Sequence, residues 1–206
     1  MPISYSLCEE FLDALAPFGL KRSAMFPVYG LAEATVGVSI PEPGHEYERI
    51  TVDRHSLRVG DAYRPVDPAD ADAVSFMKVG NPIRDVSIRI ADNEDRVLDD
   101  NVIGNIQLCG DSVTEEIYGD TAATAELFTA DGWLRTGDVG VFVDGQLVIT
   151  GRSKDIIIIN GQNYYPHDIE EIVSRLDGMD LNKVVVAGAT HRGGQTEELI
   201  ACVLYR

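Results

Sequence analysis

Basic residues are scarce in this chain. Seventeen Lys and Arg stand against 34 Asp and Glu among 206 residues, a formal net charge of -17. A general nucleic-acid groove needs a surplus of positive side chains, so nucleic acid is excluded as a partner class. An anionic membrane surface is disfavoured on the same ground. A small anionic ligand is compatible with the deficit, because backbone N–H groups and a few local cations suffice to hold one. Cysteine is scarce as well. Cys8, Cys109 and Cys202 are odd in number, far apart and set in apolar stretches. They have no zinc spacing and make no disulfide framework, so reduced, buried thiols in a cytoplasmic protein are the expectation. No apolar run approaches the length of a membrane span. The opening MPISYSLCEEFLDAL carries acids where a signal peptide would carry a basic and then an apolar region.

What is present is an ordinary globular composition, 45% hydrophobic and 25% charged. A chain of this length buries roughly 70% of its unfolded surface, enough for a real core. Leu7, Phe11, Leu12, Leu15 and Phe18 recur at helical spacing, with Glu9, Glu10 and Asp13 on another face, so residues 5–18 read as an amphipathic helix. Residues 26–30 read as a short buried strand entering a turn. Residues 41–75 mix short strands with irregular loop. From Val79 the pattern is β-rich: VSIRIA (86–91), GNIQLCG (104–110), GVFVDG (140–145) and QLVITG (146–151) are each bounded by turn residues. Asp144-Gly145 between two apolar runs is a hairpin signal. TAATAELF (121–128) reads as a helix capped by Thr121. IIIIN (156–160) is an apolar strand, and Pro166 opens a helix with acids in its first turn. KVVVAGA (183–189) and ELIACVLY (198–205) are two strands, either an antiparallel pair or joined by a crossover.

Three segments carry the chemistry: Tyr29-Gly30-Leu31-Ala32-Glu33-Ala34-Thr35, then Trp133-Leu134-Arg135-Thr136-Gly137-Asp138, then Gly151-Arg152-Ser153-Lys154-Asp155 with Gly161, Asn163, Tyr165, Pro166 and Ile169-Glu170. Singly, each is ordinary: a Tyr-Gly is a turn, a Thr-Gly-Asp a turn between strands, a Gly-Arg punctuation. Their order and spacing together resemble the adenylate-forming superfamily of acyl-CoA synthetases, luciferases and peptide-synthetase adenylation domains. Within it, WLRTGD and GRSKDIIIINGQNYYPHDIE are most similar to fatty acyl-AMP ligases.

The resemblance implies a fold class and a site. The fold would be α/β with a β-barrel: residues 1–40 the end of the large nucleotide-binding subdomain, 41–153 a distorted antiparallel barrel, and 154–206 part of a small, mobile α+β C-terminal domain. ATP or AMP would be held by Tyr29, Gly30, Glu33, Asp138 and Arg152. Tyr29 would stack on adenine, Glu33 would bind Mg2+, and Asp138 with Arg152 would face the ribose. An aromatic face, a carboxylate for a hard cation and a carboxylate for vicinal hydroxyls suit those tasks chemically. Lys154 would be the hinge of a domain rotation and Gly161 would lie at the mouth of a thiol channel.

The implied reaction is ATP-dependent activation of a fatty or related carboxylic acid as acyl-adenylate. Transfer to the phosphopantetheine of an acyl carrier protein follows. An acyl-CoA ligase using CoA, or a truncated non-catalytic module that binds nucleotide or a protein, are the alternatives. The family's phosphate loop, expected before Tyr29, and its catalytic Lys, expected after Arg206, are both absent from the chain. The expectation is therefore a segment that is inactive alone. Ala32 stands where many members carry a Thr, a replacement usual among acyl-AMP ligases.

Overall fold

In the computed structural model, residues 3–159, 162–174, 176–179, 183–190 and 197–204 are described. Helix α1 (Tyr5–Leu15) is followed by β1 (Ser39–Ile40), β2 (Arg49–Asp53), β3 (Ala73–Met77), β4 (Asn81–Pro82), β5 (Val86–Ala91) and β6 (Gly104–Gly110). Next come α2 (Thr121–Leu127), β7 (Leu134–Val143), β8 (Gln146–Arg152), β9 (Ile157–Ile159), β10 (Gln162–Tyr164), α3 (Pro166–Ser174), β11 (Val184–Ala189) and β12 (Glu198–Val203). The chain divides into two compact units, one up to Thr150 and one from Gly151 onward.

The first unit is built on an open antiparallel sheet in the order β5-β6-β7-β8. Its strands form where the turn-bounded apolar runs predict them, and their side chains Ile90, Ile106, Leu108 and Leu147 meet Tyr29, Val38, Val79 and Val86 in one core. Burial of such side chains stabilises a fold by roughly 1.5–3 kcal/mol each. The β7–β8 hairpin turns at Asp144 (φ +52°) and Gly145 (φ +76°), the two left-handed residues that a two-residue hairpin requires.

The expected barrel is not closed among the described residues. β2 pairs with β3 and β1 with β4 as separate two-stranded sheets. The outer edge of β8 meets residues 78–80 through a short irregular pairing: the Val79 N–H donates to Leu147 O and the Leu147 N–H to Gly80 O, each at 2.8 Å. Gly80 (φ +81°) lies against the Ile40–Pro41 backbone, where a Cβ would come within 2.2 Å of Ile40 O. Pro82, two residues further on, has no N–H to extend a ladder. The mixed α/β character stands; the closed barrel does not.

Other local readings are adjusted too. The N-terminal helix ends at Leu15 and tightens into a 3₁₀ turn at Ala16–Phe18. Its apolar face is covered only along Cys8 and Leu12, while Leu7, Phe11 and Phe18 are exposed. Residues 26–30 form no strand; only Tyr29 pairs, in a single bridge with Ser39. Helix α2 is capped by Asp120, which accepts from the Ala123 N–H at 2.9 Å, rather than by Thr121. Cys8 is buried, but Cys109 and Cys202 are exposed.

In the second unit β9 pairs with β10 and β11 with β12, both antiparallel, which resolves the last two strands as a direct pair. Ile157, Val184 and Val186 form a small core against Ile159, Tyr164, Ile169 and Val173. The Val186 N–H donates to Glu170 Oε1 at 2.9 Å, fastening α3 to β11. Among the described residues no helix is long and apolar enough to cross a membrane.

Candidate functional site

The Thr-Gly-Asp of the second motif is not a turn between strands. It lies inside β7 as a bulge. Asn105 of β6 faces Val139 and Gln107 faces Arg135, so a step of two residues along β6 is matched by a step of four along β7. Gly137 supplies the left-handed residue at φ +75°. The Thr136 hydroxyl donates to Ile106 O at 2.9 Å and accepts from the Asp138 N–H at 3.0 Å. A bulge re-aims the side chain that follows it. Here it turns the Asp138 carboxylate to meet Tyr29, whose phenol donates to Asp138 Oδ2 at 2.6 Å. Both residues are buried, Tyr29 at 8% and Asp138 at 4% exposure.

Gly30 follows Tyr29 because the chain folds back there. A Cβ on Gly30 would lie 1.6 Å from the Val36 carbonyl oxygen. Between them Ala32–Ala34 make one 3₁₀ turn that leaves Glu33 exposed. Thr35 then adopts φ +69°, ψ -57°. The Val36 N–H donates to Ala34 O at 2.9 Å, so Thr35 is the centre of a three-residue γ-turn of the strained hand. Such a conformation costs on the order of 1–3 kcal/mol for a non-glycine residue. The loop after β6 holds this segment from outside. The Thr35 hydroxyl donates to Ser112 O at 3.1 Å. The Thr114 N–H donates to Glu33 O at 2.7 Å. Neither the strain at Thr35 nor the role of residues 112–114 has a signature in the sequence, since a β-branched residue gives no hint of positive φ.

Arg135, within the same motif, has a different set of partners. Its guanidinium donates to Asp95 through Nε at 3.1 Å and through Nη2 at 2.5 Å. Its Nη1 reaches the carbonyls of Glu126 at 3.0 Å and Phe128 at 2.5 Å, closing the end of α2. Arg89 forms the neighbouring fork: it lies 4.4 Å from the Trp133 ring centre and binds Asp131 with both terminal nitrogens. Gln107, fully buried, joins the two pairs by accepting from Arg89 and donating to Asp95. The Arg135 hydrogen bonds hold the Asp95 carboxyl below its ordinary range, and the Arg89 fork does the same to Asp131. This network is structural.

Arg152 is exposed at the end of β8, and Lys154 is exposed in the turn at 153–155, closed by the Asp155 N–H donating to Arg152 O at 3.1 Å. Both belong to the unit that begins at Gly151. Gly161 lies outside the described residues. Tyr29, Gly30, Glu33 and Asp138 all belong to the first unit, where Tyr29 and Asp138 meet. Among the described residues no cluster of three or more His, Cys, Asp or Glu could hold a metal by itself. One exposed carboxylate such as Glu33 fits Mg2+ in the usual nucleotide manner, in which phosphate oxygens and waters complete the shell.

No family model matches the chain. It is 36% identical over 193 residues to a 4-hydroxyphenylalkanoate adenylyltransferase of Mycobacterium marinum, an alignment covering 88% of this chain and 31% of that protein. It is 34% identical over 216 residues to the long-chain-fatty-acid–AMP ligase FadD26 of Mycobacterium tuberculosis, covering 99% of this chain and 36% of the relative. A solved structure from a study of fatty acyl-adenylate ligases of E. coli and L. pneumophila superposes with a TM-score of 0.86 at 28% identity, covering all of this chain and 36% of that one. The chain thus spans about a third of the length of the curated relatives it matches.

Proposed function

We propose that this chain, a homologue of adenylate-forming enzymes over nearly its whole length, is the nucleotide-facing part of a ligase that activates a carboxylic acid as its acyl-adenylate. The similarity to two acid-adenylating relatives supports the reaction class. The observation that carries the site is the meeting of Tyr29 with Asp138, 109 residues apart in the chain, at 2.6 Å. An aromatic ring and a carboxylate side by side suit a nucleoside: the ring for adenine, the carboxylate for the ribose diol.

In the reaction the substrate carboxylate attacks the α-phosphorus of ATP. The bond to the bridging oxygen breaks and pyrophosphate leaves. Tyr29 and Asp138 hold the nucleoside, and Arg152 adds a donor toward ribose or phosphate. A ribose diol at Asp138 joins or displaces the Tyr29 phenol as its hydrogen-bond donor. Tyr29 is buried as a residue, so stacking of adenine on its ring needs a shift of the neighbours that cover it. Glu33 holds Mg2+, which when bound neutralises charge on the phosphates. Catalysis of this kind rests on positioning and charge stabilisation. In the second step a thiol attacks the acyl carbonyl and AMP leaves; the phosphopantetheine of an acyl carrier protein is the proposed acceptor, with Lys154 as the hinge between the steps and Gly161 at the thiol channel.

ATP–pyrophosphate exchange tests the reading. The complete reading frame that encodes this chain is assayed against fatty acids and arylalkanoic acids of graded length, then for acyl transfer to a carrier protein and to CoA. Exchange dependent on one acid class supports the proposal. No exchange with any acid, from a folded protein that binds ATP, overturns it. Transfer to CoA in preference to the carrier protein replaces the acceptor.

A further inference from the structure

We infer that Thr35 is a positioning residue for Glu33, and that the segment Ser112–Thr114 after β6 is the splint it is fastened to. The inference rests on the proposed role of Glu33 and extends it to residues outside the three motifs.

Glu33 sits on a single 3₁₀ turn, too short to hold its own direction. Both ends of that turn are pinned. On the entry side, the Val36 carbonyl lies where a Gly30 Cβ would be, so the loop is closed tightly on itself. On the exit side, the γ-turn at Thr35 reverses the chain, and a threonine occupies a conformation better suited to glycine. The side chain that brings the strain also supplies a restraint: its hydroxyl donates to Ser112 O at 3.1 Å. The Glu33 carbonyl itself accepts from the Thr114 N–H at 2.7 Å. Two hydrogen bonds from one short loop therefore clamp residues 33 and 35.

The splint is itself seated. The Asp111 N–H donates to Asp85 O at 3.3 Å and the Val113 N–H to Gly110 O at 3.0 Å. Val113 packs on the main core, and the Ser112 hydroxyl is buried. The end of β6 thus passes its rigidity to the Glu33 backbone, and the carboxylate points out of a loop that is fixed rather than free.

The test compares Thr35→Val with Thr35→Ser in the complete reading frame. Valine keeps the branched shape and removes the hydroxyl; serine keeps the hydroxyl. Two quantities are measured: the Mg2+ concentration giving half-maximal ATP–pyrophosphate exchange, and hydrogen–deuterium exchange of the peptide covering 111–116. Loss of one such hydrogen bond is expected to raise the Mg2+ requirement of Thr35→Val by about tenfold and to speed amide exchange in 111–116. Thr35→Ser restores both. An unchanged Mg2+ requirement in Thr35→Val overturns the inference. So does an equal loss of activity at every Mg2+ concentration together with a lowered melting temperature, which would mark a purely structural role. If the unsubstituted protein shows no pyrophosphate exchange, the proposed function fails; amide exchange of 111–116 then decides the splint alone, and no change on Thr35→Val overturns it.

Discussion

The Tyr29 phenol donates a 2.6 Å hydrogen bond to the buried Asp138 carboxylate. This bond joins two motifs whose only link in the sequence is their order. A hydrogen bond to a charged, buried acceptor contributes about 1.5–3 kcal/mol. Tyr29→Phe keeps the ring and removes the donor, so it is expected to destabilise the first unit by that amount in denaturant unfolding. Tyr29→Ala also empties a core position and should cost about 3–5 kcal/mol. Nucleotide affinity separates the same variants: Phe retains the stacking face, whereas Ala loses about 1–3 kcal/mol of binding to ATP in calorimetric titration. Equal ATP affinity in both variants would remove Tyr29 from the adenine site.

Two glycines of the motifs make a contrasting pair. Gly137 has φ +75° and open space around its absent Cβ. Gly137→Ala should therefore cost only the backbone preference, about 1–2 kcal/mol. Gly30 has a carbonyl oxygen 1.6 Å from where its Cβ would be. Gly30→Ala must push the Val36 backbone aside, and with it the γ-turn that follows Glu33. Its cost is expected to exceed that of Gly137→Ala clearly. Urea unfolding of both variants gives the comparison, and equal midpoints would refute the close approach at Gly30.

Much of this architecture is legible from alternation and turn chemistry. VSIRIA and GNIQLCG alternate against glycine and aspartate boundaries and form β5 and β6 at those bounds. Asp144-Gly145 forms its hairpin because both residues tolerate positive φ. The helix from Pro166 starts where a residue without an N–H suits a first turn. What escapes a reading of the sequence depends on distant partners. The barrel stays open because the outer edge of β8 is met only by a short pairing of residues 79–80 with Leu147, and no local pattern encodes the extent of that pairing. Asp120 and Thr121 are both good caps, and only the geometry selects the first. At the site, the motifs point to Tyr29 and Asp138, but their contact is made by the bulge at Gly137. The splint at Ser112–Thr114 is invisible because it acts through backbone atoms, which every residue type carries.

Acid should loosen the first unit through its carboxylates. Asp95 and Asp131 are held below their ordinary range by hydrogen bonds from Arg135 and Arg89. A carboxylate with a depressed folded pKa adds stability above its unfolded pKa, about 3.9, and that stability is lost as pH falls through the folded value. The double variant Asp95→Asn, Asp131→Asn should therefore melt below the parent at pH 6. The gap should close as pH drops below about 4. Melting temperature against pH measures it; a gap that stays constant from pH 6 to pH 3 would show that these two pairs do not govern acid stability.

The last expectation concerns Lys154, exposed in the turn at 153–155, just after the boundary between the two units at Thr150–Gly151. A hinge must change backbone angles without serving the chemistry. Proline at this position fixes φ near -65° and removes a backbone donor. If the turn is the pivot between the two half-reactions, Lys154→Pro should separate them. Acyl-adenylate formation should survive, because it needs only one arrangement of the units, whereas acyl transfer should fall by about a hundredfold, as misplacement of reacting groups does. Lys154→Ala controls for the side chain and should leave both half-reactions near the parent rates. The two assays, pyrophosphate exchange and carrier-protein loading, are run side by side on the complete reading frame with melting temperatures recorded. A parallel loss in both assays with a lowered melting temperature would mean that proline only damages the turn, and the pivot would have to lie elsewhere in the chain.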